Sequence, residues 1–327
     1  VRSTGEALAN AVHDVFEGRM GETRGAAPGR WLRRIAKVLG ALFGALLVLA
    51  LGVFVMSERR IRQRFEVAGE ALEIPTGADV LARGERLARS RGCMDCHAAN
   101  GAGQVFLRAM PVMDLHPSNL TRGGATSRWE GRDWTRAVRH CVRPDGSAIP
   151  FMPCEDYRFL DDRDLGDIVA FLRSLPASTN HPGPSRIGPV GTVLFLKGDL
   201  PYLVAERIDH GAAVPPAPPA GPTVAYGRYL AAGCTGCHGA HFSGGHIPGT
   251  PPEWPPAANI TPDPATGIAA MTEAPFVAAV TRGQKRDGHT INPTFMPWRQ
   301  FALLTPDEVA ALWRYLREVP PRRAGQR

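Results

Sequence analysis

Two short runs in this chain, Cys93-Met94-Asp95-Cys96-His97 and Cys234-Thr235-Gly236-Cys237-His238, each bring two thiols and an imidazole within five residues. On a helical turn such thiols can each form a thioether with a vinyl group of haem, and the histidine that follows lies beneath the iron. Cys93, Cys96, Cys234 and Cys237 are therefore candidate attachment points for two haem c groups, with His97 and His238 as proximal iron ligands. Two other readings of a Cys-x-x-Cys pair are a zinc site and a thioredoxin-like dithiol. Zinc usually takes a second ligand pair at short spacing, and neither half of the chain supplies one.

A histidine–iron bond leaves one axial position open. Methionine's neutral thioether favours ferrous iron and raises the reduction potential, which suits an electron carrier. Met110, Met113 and Met152 follow the first motif, and Met271 and Met296 the second. Only Met152 and Met296 occupy matching places, 55 and 58 residues beyond their histidines and each inside Phe-Met-Pro. They are the expected sixth ligands; His116, His140, His241, His246 and His289 are the rivals. Asn119 and Asn259 recur with Thr121 and Thr261 two residues on. They are expected to hydrogen-bond haem propionates, the alternative being a capped turn. The two remaining cysteines, Cys141 and Cys154, bracket Met152. In an oxidising compartment they would pair and stiffen its loop, a staple the second half lacks, having Gln284 and Trp298 near these places.

These landmarks make an internal repeat. Gly84-Glu-Arg-Leu-Ala leads into the first motif and Gly227-Arg-Tyr-Leu-Ala into the second. Beyond Phe-Met-Pro the halves run in register at an offset of 144, Leu160 with Leu304, Arg173 with Arg317, Pro176 with Pro320. Leu165, Ile168, Val169 and Leu172 follow helical spacing, as do Val309, Leu312, Trp313 and Leu316, with Thr305-Pro306 a good helix start. The sequence thus predicts an all-α chain with tandem domains at 80–176 and 222–320 and a tail at 321–327. The Pro/Gly-rich interdomain segment, 177–221, holds an apolar run, Thr192–Leu196, expected to brace both domains.

Val38–Met56 is a run of 19 residues without a charge. As a helix at ~1.5 Å per residue it spans close to the ~30 Å of a bilayer core. We read residues 31–57 as a retained transmembrane anchor rather than a cleaved signal peptide, with a juxtamembrane linker at 58–79. The preceding segment, 1–30, carries Leu8, Val12, Val15, Phe16 and Met20 at helical spacing, consistent with an amphipathic helix or a weakly ordered tail. Residues 1–64 hold 11 Lys/Arg against 5 Asp/Glu, and the remaining 263 hold 27 against 26. The net charge of +7 therefore belongs to the membrane flanks and leaves no nucleic-acid footprint. Haem c attachment in bacteria occurs outside the cytoplasmic membrane, so the haem domains are expected in the periplasm and residues 1–30 inside.

The run Asn259-Ile-Thr-Pro-Asp-Pro-Ala-Thr-Gly-Ile268, then Met296-Pro297 and the segment Leu304–Pro320, resembles a known group. It is similar to the cytochrome c subunits of bacterial membrane-bound alcohol, aldehyde and gluconate dehydrogenases, over roughly residues 80–320. That resemblance implies two tandem class I cytochrome c domains after one N-terminal transmembrane helix. It also implies a non-catalytic carrier that takes electrons from a dehydrogenase toward quinone or an oxidase. The group commonly has three haem domains where this chain has two motifs, and the dihaem subunit of one class of terminal oxidase has a comparable plan. The competing reading is a dihaem enzyme, a peroxidase or thiosulfate-oxidising cytochrome, with one catalytic haem. A subunit of a larger respiratory or photosynthetic assembly is the third.

Overall fold

The computed structural model describes residues 29–327, which fall into two compact units, one ending at Val53 and one spanning Phe54–Arg327. The helix expected near Leu8–Met20 lies outside the described residues. Helix α1 (Arg30–Ile61) contains the expected apolar run and is long and apolar enough to cross a membrane, with a mean hydropathy of 2.7 over 18 residues. In the first unit it carries Leu46, Val48 and Leu49 on its surface, all exposed.

In the second unit the first half runs α2 (Ala78–Ser90), the single turn α3 (Cys93–Cys96), the hairpin β1 (Leu107–Ala109) to β2 (Met113–Leu115), α4 (Gly131–His140), the single turn α5 (Cys154–Tyr157) and α6 (Asp162–Ser174). Then come β3 (Arg186–Ile187) and α7 (Pro189–Lys197). The second half runs α8 (Val224–Ala231), the single turn α9 (Thr235–His238), α10 (Glu273–Arg282), the single turn α11 (Trp298–Phe301) and α12 (Pro306–Glu318).

Each half is organised by one helix crossing, α2 on α6 and α8 on α12. The repeated glycine explains how closely the helices approach. A Cβ on Gly84 would lie 2.0 Å from the carbonyl oxygen of Asp167, and one on Gly227 would lie 2.0 Å from that of Ala311. Around the first crossing Leu87, Ala88, Leu165, Ile168, Val169 and Leu172 are buried; around the second, Leu230, Ala231, Val309, Leu312 and Leu316 are. The closing helices begin at caps. The Asp161 side chain accepts from the Asp164 amide at 2.8 Å, and Thr305 and Glu308 form a reciprocal capping box. Pro176 and Pro320 stand just beyond their ends, where a helix cannot continue.

Parts of two expected linkers pack on the first half. β3 pairs antiparallel with β2, Met113 opposite Ile187, so the chain leaving α6 completes a small three-stranded sheet within an otherwise helical fold. Phe195, Leu200, Tyr202, Leu203, Val204 and Ile208 then bury themselves in one cluster with Met113, Leu115, Cys141 and Val142. The apolar run at 192–196 is therefore an extension of the first half's core, not a brace across both domains. Pairing with β2 and packing on Met113 and Leu115 hold this segment on the first half. Residues 58–79 are also pinned: the Arg136 guanidinium donates to the carbonyls of Val67 and Ala68, each at 2.8 Å, and Thr135 Oγ1 donates to that of Glu70 at 2.9 Å.

Replacing Gly227 with alanine is expected to force the α8–α12 backbones apart at a cost of about 1–3 kcal/mol, the range for overpacking a filled interior. Chemical denaturation of Gly84→Ala and Gly227→Ala checks this, and a loss under ~0.5 kcal/mol in both would mean the helices do not meet at the backbone.

Candidate haem-attachment sites

Both motifs sit on a single helical turn that follows directly on the half's first helix, α3 after α2 and α9 after α8. The histidines are oriented identically. His97 Nδ1 lies 2.7 Å from the Ser118 carbonyl oxygen and His238 Nδ1 lies 2.8 Å from that of Ala258. A carbonyl can only accept, so Nδ1 carries the proton and Nε2 keeps its lone pair, the tautomer a metal needs. Burial lowers the pKa of both imidazoles and keeps them neutral.

The thiols are set against redox-dithiol chemistry. Burial pushes Cys93 up to about 12 and Cys96 and Cys234 up to about 11, and raises Cys237 as well. A nucleophilic cysteine pair needs its pKa lowered. Among the described residues no three His, Cys, Asp or Glu side chains gather as an all-protein metal site. Two neutral thiols beside an imidazole with a free Nε2 are the donor set haem c requires, and both halves have it.

Asn119 and Asn259 hold the carbonyl that fixes each histidine. Asn119 Oδ1 accepts from the Thr121 amide at 2.9 Å and the Thr121 hydroxyl at 2.7 Å. Its Nδ2 donates to the carbonyls of Ser178 at 2.7 Å and Asn180 at 3.1 Å. Asn259 Oδ1 accepts from the Thr261 amide at 3.0 Å and hydroxyl at 2.8 Å, and its Nδ2 donates to Thr266 Oγ1 at 2.8 Å and the Arg322 carbonyl at 2.7 Å. An amide side chain has two donor and two acceptor positions, and here the chain itself takes all four. Asn119 and Asn259 thus brace the turns that carry the Ser118 and Ala258 carbonyls, the geometry of the capped-turn alternative. Ser118 and Ala258 escaped the sequence reading because they contribute only backbone, although the asparagine next to each marked the place.

On the distal side, the loops of Met152 and Met296 share one geometry. Pro153 and Pro297 have φ near −80° and ψ of 59° and 55°, and each starts a single helical turn, α5 or α11. The amides of Cys154 and Trp298 donate back to the methionine carbonyls at 2.9 and 2.8 Å. Met296 packs on the same apolar cluster as Cys234. In the first half Met152 packs on the cluster of Tyr202 and Cys154, while Cys93 borders the separate cluster around the α2–α6 crossing. The rival histidines are placed differently from one another. His140 has Glu70 and His210 at 3.0 Å on its two nitrogens, His289 pairs with Asp287, His241 and His246 are exposed, and His116 lies on the proximal loop two residues before Ser118.

Cys141 and Cys154 form a disulfide, and Cys141 Sγ also lies 3.1 Å from the Met152 carbonyl oxygen. Cys141 follows α4 with φ of 55°, and its structural counterpart after α10 is Gly283, φ 62°, rather than Gln284. A Cβ on Gly283 would fall 2.3 Å from Trp298 Nε1, so the indole lies directly on the glycine. The second half thus clamps its methionine loop with a Gly283–Trp298 contact where the first uses a covalent bond.

The cytochrome c family model matches this chain twice, over residues 81–176 and 224–320. The chain belongs to the cytochrome c family. Its function is electron transfer by haem c. The gluconate 2-dehydrogenase cytochrome c subunit of Pantoea cypripedii is 27% identical over 287 residues, 76% of this chain and 61% of that protein. The alcohol dehydrogenase (quinone) cytochrome c subunit of Gluconacetobacter polyoxogenes is 37% identical over 95 residues, 27% of this chain and 20% of that protein. A diheme cytochrome c-type protein of Cereibacter sphaeroides is 31% identical over 133 residues, 36% of this chain and 43% of that protein. The chain therefore spans less than two thirds of these curated relatives.

Cutting the disulfide of this cytochrome, as Cys141→Ala/Cys154→Ala, is expected to lower stability by about 3 kcal/mol, the loop-entropy value for a closure of this length. Denaturation together with per-haem spectra checks it. The methionine signature of the first half should weaken and that of the second persist, whereas equal loss in both would contradict a local clamp.

Proposed function

We propose that the chain is a membrane-anchored, non-catalytic relay carrying two haem c groups, with its haem domains on the periplasmic face. The observation that carries this reading is the duplicated proximal arrangement, two thiols and an imidazole whose Nδ1 is committed to a backbone carbonyl. Cys93, Cys96, His97 and Met152 would hold one haem, and Cys234, Cys237, His238 and Met296 the other. Bound haem supplies a reversible one-electron couple. The chain's own residues orient the imidazole and hold the loop that carries the methionine. Two matched Phe-Met-Pro loops favour two six-coordinate centres, which suits a carrier over a dihaem peroxidase.

The anchor is α1, apolar on all sides over a membrane-spanning length. Attachment of haem c outside the cytoplasmic membrane, and a disulfide in the same unit, support a periplasmic position with the N-terminus in the cytoplasm. The names of the relatives support a membrane-bound dehydrogenase as donor, with an oxidase or larger membrane complex downstream.

A pyridine haemochrome assay on the purified chain should give two covalent haems, falling to one in Cys93→Ser/Cys96→Ser and in Cys234→Ser/Cys237→Ser. Reductive titration should take up two electrons per chain. One haem in the unaltered chain, or turnover of hydrogen peroxide, would contradict the relay.

A further inference from the structure

The two halves touch through residues that occupy the same place in the repeat. Arg86 of α2 forms a two-pronged pair with Glu308 of α12, at 2.7 and 3.1 Å. Tyr229 of α8, the counterpart of Arg86, donates to Asp164 of α6, the counterpart of Glu308, at 2.6 Å. Such reciprocity, residue i on j and j on i, is the mark of a two-fold interface, here within one chain.

The same symmetry reaches the haem motifs. Asp156 lies on α5, four residues past Met152, and its Oδ1 lies 3.1 Å from the Thr235 hydroxyl between Cys234 and Cys237, whose proton it shares with the Ala232 carbonyl at 2.8 Å. A Cβ on Gly236 would lie 2.4 Å from Asp156 Oδ2, so the second motif is shaped to admit this carboxylate. Gln300 lies on α11, four residues past Met296, and its Nε2 donates to Asp95, between Cys93 and Cys96. Asp156 and Gln300 are themselves counterparts at the 144-residue offset. Burial in this contact pushes the Asp156 carboxyl up to about 6.

We infer that Asp156 and Gln300 act across the interface, each a positioning residue for the haem-attachment turn of the opposite half. The distal arm of one half is seated on the proximal turn of the other, so neither haem environment is set by its own half alone. Each attachment turn then has one carboxylate on it, its own Asp95 in the first half and Asp156 of the opposite half in the second. This inference rests on the reading that both motifs carry haem.

The test uses the full-length holoprotein with Asp156→Ala and Gln300→Ala, reading amide hydrogen exchange at both motifs and the paramagnetically shifted resonances of each haem. Asp156→Ala should speed exchange at residues 235–238 about tenfold, the loss of one charge-assisted hydrogen bond. It should also move the resonances of the second haem, leaving 93–97 and the first haem within about twofold of the unaltered chain. Gln300→Ala should do the reverse. Asp156→Asn, which keeps an acceptor for Thr235, should restore exchange at 235–238, and Gln300→Glu, which sets like charges together, should disturb the first motif. These two keep the test open if an alanine variant fails to fold. Changes confined to the variant's own half, or equal in both halves, would overturn the inference. A chain lacking one haem would instead show as missing resonances in the unaltered protein, which is a failure of the relay reading.

Discussion

An imidazole that donates its Nδ1–H to a backbone carbonyl has one nitrogen left, Nε2, whose lone pair is free for a metal. Much of each half exists to keep that carbonyl in place. The acceptors Ser118 and Ala258 stand immediately before asparagines whose four hydrogen-bonding positions are all taken. Those asparagines reach the strand of chain that leaves the closing helix, Ser178 in one half and Arg322 in the other. The closing helix is held in turn by its crossing over the repeated glycine. Each histidine is thereby tied through few steps to the helix crossing of its own half.

The duplication did not leave two identical copies. The first half gains a three-stranded sheet, a disulfide and the chain from 186 to 208 packed against the methionine loop. The second half holds the equivalent loop with an indole laid on a glycine, and Arg327 donates to the Cys237 carbonyl at 2.7 Å. A covalent clamp and a packed one resist different stresses, since reduction opens the first and leaves the second. The contact between halves nevertheless joins equivalent positions, Arg86 with Glu308 and Tyr229 with Asp164, although the residue types differ.

The helices and the cysteine–histidine turns were legible because each has a local cause: periodicity, a proline stop, a cap such as Thr305; the glycine crossing was not, although the repeat marked Gly84 and Gly227. The shared geometry of the Met152 and Met296 loops was legible because the repeat matches them residue for residue. Three further features were not. The carbonyl partners of the histidines carry no side-chain signal. The pairing of β3 with β2 joins segments about 70 residues apart through backbone alone. The alignment of Cys141 with Gly283 rather than Gln284 depends on where a left-handed residue ends each helix, which an ungapped offset cannot reveal.

The account stands on each iron having one imidazole and one thioether, and magnetic circular dichroism in the near infrared reads axial ligands directly. The ferric protein should show two low-spin histidine–methionine centres, with one lost in Met152→Ala and the other in Met296→Ala. A bis-histidine or high-spin centre in the unaltered protein would contradict it.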